Sequence, residues 1–340
     1  MTDRLKTAPC VPSLRVAVKM WREGGYKGTT DTTRKLLRYW FIAEHRTVMG
    51  GLFRYHNAQR EAVETLIFVW EYEKVLTRKG LLERYATDLT GVPLPEGGDW
   101  PRYALKMATG SGKTKVMAMV MAWQLLNAAA EPPHIAKHYA RTVLLIAPGL
   151  IVFERPRTDF GAGRIFHIDP VIPKELEIYW DLGVVERGDG VRTDSESMLY
   201  FTNVDQLYEG RDAPNAEPDA MTAVLGPKAP LKKLDPTDFE ERIALRDGPV
   251  MVLNDEAHAW PGSKWDEVIG RVAKRSTLAL QVDLSATPRF PKTGTLFPWT
   301  VFDYPLKQAI LDGIVKRPVR GIAKIAEVGR RTPRSGTPAS

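Results

Sequence analysis

Short apolar runs constrain the fold of this chain more than any other feature. In chain order they read RYALKMATG, RTVLLIAPG, SMLYFTN, PVMVLNDEAH and LALQVDLSATP, and each ends in small or polar residues. Unalternated apolar runs of about four to six residues are typical of strands buried on both faces of a parallel sheet. Helical patterns separate several of them, as in residues 113–129 and 265–274. The pattern predicts an α/β fold with a wound, mostly parallel sheet flanked by helices.

Composition divides the chain into three parts. Residues 1–50 form an N-terminal extension that we expect to be helical, and residues 51–318 carry the apolar runs. Within the second part, residues 209–246 are rich in Pro, Asp and Ala and show little periodicity, which predicts a surface insertion. Residues 319–340 are basic, and their last part, GRRTPRSGTPAS, is almost free of apolar side chains, so we expect a disordered tail.

The segment MATGSGKT lies between a strand-like run and a helix-like run. Backbone N–H groups of a glycine-rich turn that opens onto a helix N-terminus form a binding site for anions. Lys113 can reach the β- and γ-phosphates of a nucleotide, and the Thr114 hydroxyl can ligate Mg²⁺. The strict phosphate-loop pattern has its first glycine where this chain has Met107. We predict a nucleotide-binding loop formed by Thr109, Gly110, Ser111, Gly112, Lys113 and Thr114.

Two consecutive acids, Asp255 and Glu256, follow the apolar run VMVLN. A nucleotide hydrolase needs one carboxylate to hold Mg²⁺ and a second to position or deprotonate the attacking water. Acids after a strand are often only the solvated start of a helix. In an open α/β sheet, however, ligands bind at the carboxyl ends of the strands. Together with a phosphate loop, the acid pair therefore predicts a hydrolytic site.

The run VDLSATP places hydroxyl groups at Ser285 and Thr287, after another predicted strand. These hydroxyls would lie beside the acids if the two strands are neighbours in the sheet. Taken alone, the run is more typical of a strand that enters a proline turn.

The order and spacing of MATGSGKT, DEAH and SAT resemble the first motor lobe of superfamily 2 helicases and translocases of the DEAD/DEAH-box type. That superfamily does not require glycine at the position of Met107. The resemblance implies a RecA-like lobe that binds ATP with Mg²⁺ and hydrolyses it under stimulation by nucleic acid. It implies that Lys113 binds phosphate and Glu256 activates water, while Thr114 and Asp255 hold Mg²⁺. Coupling between the state of ATP and nucleic-acid contacts is implied for His258, Ser285 and Thr287.

Two further stretches match this superfamily more loosely. Gln59, in FRYHNAQREAV, resembles the glutamine that reads adenine, and an amide can contact both N6 and N7 of that base. Gln59 is equally explained as a polar residue on the N-terminal face of a helix. The stretch LIAPGLIVFERPR stands in the place of the first nucleic-acid-contacting segment, where backbone amides near Arg155 and Arg157 could hold phosphates.

A narrower resemblance covers roughly residues 30–320. The stretches RKLLRYWF, AQREAVETLIFVWE, VLNDEAHAW and FPWTVFDYPLKQAILDGIVKRPV are similar to the large motor subunits of type III-like restriction endonucleases. This similarity implies an ATP-dependent motor that moves on double-stranded DNA. It also implies a nuclease or methyltransferase subunit as a partner in trans.

Charge and cysteine content indicate the cellular compartment of the protein but do not identify a partner. Residues 313–340 contain seven Lys and Arg and one acid, so most of the net charge of +7 lies in that segment, where it would bind polyanions without specificity. A single cysteine, Cys10, cannot form an internal disulfide and fits a reducing compartment. Because neither a signal peptide nor a membrane span is recognisable, we expect a cytoplasmic protein.

The chain offers little room for a second motor lobe. Few residues follow Pro288, whereas a second RecA-like lobe needs on the order of 100–150 residues. We therefore expect the second lobe and the nuclease of restriction subunits to be absent, and a truncated product or a partner in trans to account for this. Two alternatives to a DNA motor stay open: an RNA helicase lobe, and a nucleotide- or DNA-binding module without useful turnover.

The stretch HIAKH places His134 and His138 four residues apart. A zinc metalloprotease pattern needs Glu directly after the first histidine, where this chain has Ile135. We predict a solvated pair of histidines rather than a zinc site.

Overall fold

The fold is described from a computed structural model of the chain. The structure describes residues 8–47, 49–89, 92, 100–147, 158–186, 195–203, 239–256, 264–290 and 293–317. The predicted tail at 319–340 lies outside these residues. Of the predicted insertion at 209–246, only the last part, from residue 239, is described.

Two helices, α1 (Val11–Glu23) and α2 (Asp31–Phe41), begin the described chain. Thr30 caps α2, because its side-chain oxygen accepts a hydrogen bond from the Thr33 N–H at 3.0 Å. Trp40 is buried in the same apolar core as the central sheet. From residue 11 to residue 41 the N-terminal extension is therefore mostly helical, and it packs directly on the rest of the molecule.

A short antiparallel hairpin of β1 (His45–Arg46) and β2 (Leu52–Phe53) leads to a longer helical segment. The helical spacing of residues 57–76 predicts one helix. The structure instead has α3 (Asn57–Ile67), continued by a π-helix over Phe68–Tyr72, and then α4 (Arg78–Tyr85). The spacing of apolar residues does not reveal a single π-helical turn within an α-helix, because such a turn lengthens the repeat by only one residue.

Seven further strands of the described chain form one parallel sheet. They are β3 (Arg102–Met107), β4 (Thr142–Ala147), β5 (Leu182–Glu186), β6 (Ser197–Asn203), β7 (Val250–Asp255), β8 (Leu278–Ser285) and β9 (Thr300–Tyr304). Their order across the sheet is β5-β6-β4-β7-β8-β3-β9, and every neighbouring pair is parallel. The five apolar runs became β3, β4, β6, β7 and β8, so the predicted α/β fold is confirmed.

Helices cover both faces of this sheet. They are α5 (Lys113–Ala130), α6 (Pro133–Ala136), α7 (Arg164–Ile168), α8 (Phe239–Ala244), α9 (Lys264–Arg275) and α10 (Leu306–Leu311), with 3₁₀ turns at Gly161–Gly163 and Lys174–Tyr179. Helix α5 is buried throughout its middle, as expected of a helix that is apolar around its circumference. Leu253 of β7 belongs to the apolar cluster that contains α5, and its neighbour Val252 belongs to the cluster that contains α9.

The strand order places three strand ends side by side. Strand β8 lies between β3 and β7, with Lys106 opposite Ser285 and Asp255 opposite Leu284. Because parallel strands end at the same edge of a sheet, the residues after β3, β7 and β8 meet there. This carboxyl edge is where the phosphate loop, the acid pair and the SAT segment were predicted to converge.

A buried polar network joins the same three strands below that edge. Asp283 of β8 is fully buried and accepts hydrogen bonds from Arg102 Nε at 2.7 Å and Asn254 Nδ2 at 2.6 Å. Gln281 Nε2 and Trp299 Nε1 donate to the same carboxylate at 3.0 and 3.2 Å. A buried carboxylate is tolerated only with such donors, so the network fixes β3, β7 and β8 relative to one another.

Cys10 stands directly before α1 and is fully buried in the core. Burial raises the pKa of its thiol to about 12, which makes the thiol a poor nucleophile. Among the described residues, no helix is both long enough and apolar enough to cross a bilayer.

Candidate active site

The predicted phosphate loop connects β3 to α5 through two glycines with left-handed backbone. Gly110 has φ 81° and Gly112 has φ 87°, which residues with a Cβ rarely adopt. Ser111 is buried, and its hydroxyl donates to the Ala108 carbonyl at 2.7 Å, which closes the turn. Thr109 is exposed on the outside of the loop. Since α5 begins at residue 113, the positive end of its dipole faces this turn, an arrangement that favours anions.

A close neighbour also requires glycine at position 112. A Cβ there would lie 2.1 Å from Gln59 Nε2. Gln59 is buried, its Oε1 accepts from the His56 N–H at 2.8 Å, and its Nε2 donates to the Ser111 carbonyl at 3.4 Å. The structure thus places Gln59 against the phosphate loop with its amide bonded to backbone groups. Contact between Gln59 and adenine stays a prediction.

Lys113 and Glu256 meet across the carboxyl edge of the sheet. The Lys113 Nζ lies 2.5 Å from Glu256 Oε1, and the two side chains are only 10% and 20% exposed. Glu256 also has φ 54°, a left-handed conformation that costs a residue with a side chain about 1 kcal/mol. Such strain is common at functional sites. The phosphate loop and the acid pair, far apart in the sequence, therefore form one site.

Asp255 carries the most perturbed acid group of this site. Burial raises the pKa of its carboxyl from an ordinary 3.8 to about 6. The nearby Lys113 ammonium and a hydrogen bond from the Glu256 N–H, at 3.1 Å, lower the pKa, whereas the Glu256 carboxylate raises it. The net result is a carboxylate that is costly to ionise and would gain from a further cation.

The oxygen atoms at this edge suit Mg²⁺ better than a metal ion that is coordinated by protein side chains alone. Thr114 is the second residue of α5, and Asp255 ends the strand that faces it across β8. The described residues contain no group of three or more His, Cys, Asp or Glu that could hold a metal. Mg²⁺ usually keeps several waters and takes one or two protein oxygens besides the phosphates of a nucleotide. One carboxylate and one hydroxyl supply that number.

The predicted coupling residues are placed in part. Ser285 ends β8 and is fully buried, and its Oγ accepts a hydrogen bond from the Thr287 N–H at 3.0 Å. This turn holds the SAT segment at the carboxyl edge, between the phosphate loop and the acid pair. His258 lies outside the described residues, as do Arg155 and Arg157.

The segment after β9 also contacts the phosphate loop, which sequence reasoning missed. The Ala108 N–H donates to the Tyr304 carbonyl at 3.0 Å, and Val315 lies 3.7 Å from the position of a Cβ on Gly110. A groove of about 560 Å³ adjoins this segment and is lined by the start of α3, including Asn57. The mixed, short pattern of residues 304–315 carries no signal that points to the loop.

Comparison with models of protein families shows to which family the chain belongs. The family model described as type III restriction enzyme, res subunit, matches residues 52–290. The matched region contains the phosphate loop, the acid pair and the SAT segment. The chain belongs to this family. A search of curated proteins finds no match.

Membership in the type III restriction enzyme res subunit family confirms both resemblances drawn from the motifs. The seven-stranded parallel sheet is a RecA-like P-loop NTPase fold of the superfamily 2 N-terminal lobe. The chain carries a helicase-like ATPase domain of the restriction-enzyme type.

Proposed function

We propose that this chain binds ATP with Mg²⁺ at the carboxyl edge of its sheet and hydrolyses it as the motor lobe of a translocase on double-stranded DNA. The observation that carries the proposal is the contact of Lys113 with Glu256 at 2.5 Å. It joins a phosphate-binding loop to an acid pair, the two parts that hydrolysis of a nucleotide needs in one place.

Each side chain of the site has a role that its position supports. Lys113 binds the β- and γ-phosphates, and the turn at Gly110 and Gly112 brings the backbone close to them. Glu256 orients and deprotonates the attacking water. A bound triphosphate would compete with Glu256 for the Lys113 ammonium group. Binding of the phosphates therefore frees the Glu256 carboxylate to act as a base.

Thr114 and Asp255 are the residues that would hold Mg²⁺. The ion, when bound, neutralises charge that develops on the transferred phosphoryl group. Asp255 suits this role because burial and the neighbouring Glu256 make its charge unfavourable without a second cation. Thr114, on the first turn of α5, provides a neutral oxygen that adds no further repulsion.

The adenosine moiety is proposed to extend from the loop toward the start of α3. The groove of about 560 Å³ there is lined by Asn57, Tyr304, Gln308 and Asp312. Gln59 supports the wall of the loop beside this groove and would read adenine if its amide turns away from the Ser111 carbonyl. That bond is long, 3.4 Å, and is the weaker of the two that hold the amide.

Coupling to DNA is proposed for the SAT segment and its neighbours. Ser285 and Thr287 lie at the end of the strand between the loop and the acid pair, so a shift of either part displaces them. His258 follows the acid pair by two residues and is the third proposed coupling residue. A second motor lobe, and a nuclease or methyltransferase subunit, are the proposed partners in a cytoplasmic complex.

Steady-state ATP hydrolysis with three additions tests the proposal. We expect stimulation by double-stranded DNA, no stimulation by single-stranded RNA, and slow turnover without polymer. Lys113→Ala should remove turnover in every arm, and Lys79→Ala, an exposed lysine far from the site, is the matched control. Turnover by the lobe alone should be slow, because an arginine from a second lobe contributes roughly 10³–10⁵ in rate.

The other outcomes each identify a different protein. Stimulation by RNA alone would indicate an RNA helicase lobe. Tight ATP binding with no turnover under any condition, also after addition of a second lobe, would indicate a nucleotide- or DNA-binding module. Turnover that is equal in the wild type and in Lys113→Ala would refute the proposed site.

A further inference from the structure

A second concave site lies at the opposite edge of the sheet from the phosphate loop. Its cavity of about 720 Å³ is bordered by Pro101, which precedes β3, by Pro249, which precedes β7, and by the start of β8. These residues mark the amino ends of the strands, whereas the nucleotide site occupies the carboxyl ends. The cavity is within the size range of small-molecule sites, roughly 300–1,000 Å³.

The inner wall of this cavity is apolar. Trp70, Leu278 and Ala279 line it, and each is less than 10% exposed. The Trp70 indole is fixed by a hydrogen bond from its Nε1 to the Ala279 carbonyl at 2.8 Å and by an edge contact with Tyr139. Leu76, at the mouth, is 44% exposed. A wall of this kind favours an apolar body in the ligand.

The mouth of the cavity is basic. Lys74, Lys137, His134 and His138 line it, and all four are exposed. Within the described residues, none of these side chains forms an ion pair with an acid. Two lysine ammonium groups and two imidazole rings beside an apolar cavity favour a negatively charged group, because hydrogen bonds between charged partners are stronger than those between neutral ones.

The single acid that lines the cavity does not offset this charge. Glu71 is buried, and its carboxylate accepts hydrogen bonds from the Thr30 N–H at 2.7 Å, from Thr33 Oγ at 2.8 Å and from Trp123 Nε1 at 2.8 Å. These three hydrogen bonds come from groups of the protein itself. Glu71 is therefore part of the wall and is not presented to a ligand as a free charge.

The backbone beside the cavity is unusual in two ways. Trp70 and Glu71 stand on the π-helix over Phe68–Tyr72, a form that is rare and frequently found at functional sites. Lys74 follows that helix with φ 52°, a left-handed conformation that costs a non-glycine residue roughly 1–2 kcal/mol. The strained residue is thus the one whose ammonium group lies at the mouth of the cavity, and backbone strain of this kind is often found at functional sites.

We infer that this cavity binds a small amphipathic organic anion, with its apolar body against Trp70 and Leu278 and its carboxylate, sulfonate or phosphate group between Lys74 and Lys137. The site is separate from the nucleotide site and does not depend on its assignment. Trp70 and Leu278 are buried whereas Lys74 and Lys137 are exposed, so the anionic end of the ligand would point outward.

Fluorescence titration with anilinonaphthalene sulfonate, an aromatic anion, tests the inference. We expect saturable binding of one dye per chain, at least about tenfold tighter than that of phenylnaphthylamine, which has the same rings without the charge. Excess Mg²⁺ and ATP should displace the dye no better in the wild type than in Lys113→Ala. Displacement by ATP that occurs in the wild type and is lost in Lys113→Ala would place the dye in the nucleotide site and overturn the inference.

Three variants distinguish the cavity from other apolar surface. Lys74→Asn, which tolerates the left-handed backbone, and Lys137→Gln should each weaken the dye about tenfold. Thr277→Trp, at an exposed position that lines the cavity, should fill it and abolish saturable binding. Lys79→Gln, an exposed lysine paired with Glu83 outside the cavity, should change nothing. Equal affinity in all four variants, or for both dyes, would show that no anion site exists here.

Discussion

Two buried or nearly buried carboxylates, Asp255 and Asp283, lie on neighbouring strands of one sheet. They differ sharply in the number of hydrogen bonds that they accept. Asp283 receives four side-chain hydrogen bonds, including one from the charged Arg102. Among the described residues, Asp255 accepts a hydrogen bond from the Glu256 N–H alone, and burial raises its pKa to about 6. One carboxylate is fully satisfied by the fold, and the other is left needing a cation.

This difference separates structural from functional acids without reference to any ligand. A satisfied carboxylate rigidifies the strands around it and has nothing further to offer. An unsatisfied one costs folding free energy, which a protein retains where a ligand later supplies the missing partner. The carboxyl edge of the sheet is therefore the proposed reactive region, and the polar network below it positions β3, β7 and β8.

The largest expected effect concerns Glu256. Glu256→Gln should lower single-turnover ATP hydrolysis by about 10²–10⁴, the usual contribution of a general base, while ATP binds at least as tightly as in the wild type. Glu83→Gln, an exposed acid on α4, is the control. Unchanged hydrolysis in Glu256→Gln would remove the water-activating role.

The comparison itself predicts opposite effects on stability. Asp283→Asn leaves the buried Arg102 without its counter-charge, so the free energy of unfolding should fall by about 3 kcal/mol. Asp255→Asn removes a charge that burial disfavours and should raise it by up to about 3 kcal/mol at pH 8. Urea unfolding of the two variants measures both values. Equal losses would mean that the two acids do not differ in kind.

Gly112 offers a local test of the phosphate loop. Gly112→Ala should weaken ATP binding at least about tenfold, because the new methyl group meets Gln59 and the backbone is left-handed there. Gly270→Ala is the matched control, since this glycine stands within α9 with open space at its Cβ position. Calorimetric titration with ATP compares the two; similar affinities would mean that the loop does not hold the phosphates.

The smallest effect is a pH dependence that follows from Asp255. Its folded pKa of about 6 lies above the ordinary 3.8, so its contribution to stability falls as pH rises between those values. Mg²⁺ needs the ionised form, so the Mg²⁺-dependent part of ATP affinity should rise about tenfold from pH 5 to pH 7. The rise in Asp255→Asn should be smaller and should reflect only the titration of the terminal phosphate of ATP, and equal profiles in the two proteins would argue against Asp255 as a metal ligand.

Much of this site could be predicted from residue types in a short stretch. The apolar runs predict the strands, and glycines before Lys113 predict a tight turn at a helix start, because both signals are local. The contact of Lys113 with Glu256 could be expected once the strands before them were taken to lie in one parallel sheet. The sequence pattern could not predict that β8 separates β3 from β7, since strand order depends on packing across the whole sheet.

Other features depend on contacts between distant residues and carry no local signal. Asp283 is only a polar residue inside an apolar strand until Arg102 and Asn254 are known to lie beside it. The contact of Gln59 with Gly112 and the left-handed φ of Glu256 likewise arise from tertiary packing. His134 and His138, predicted to be a solvated pair, are exposed as expected, yet they share a basic cavity mouth that spacing alone does not reveal.

A crystal structure of the chain with Mg²⁺ and a non-hydrolysable ATP analogue would show the proposed nucleotide site itself. We expect the γ-phosphate in contact with Lys113, and Mg²⁺ at about 2.0–2.1 Å from oxygens of Thr114 and Asp255. Glu256 should then face the γ-phosphate across one water. A nucleotide bound at any other edge of the sheet, or a metal that avoids both Thr114 and Asp255, would contradict it.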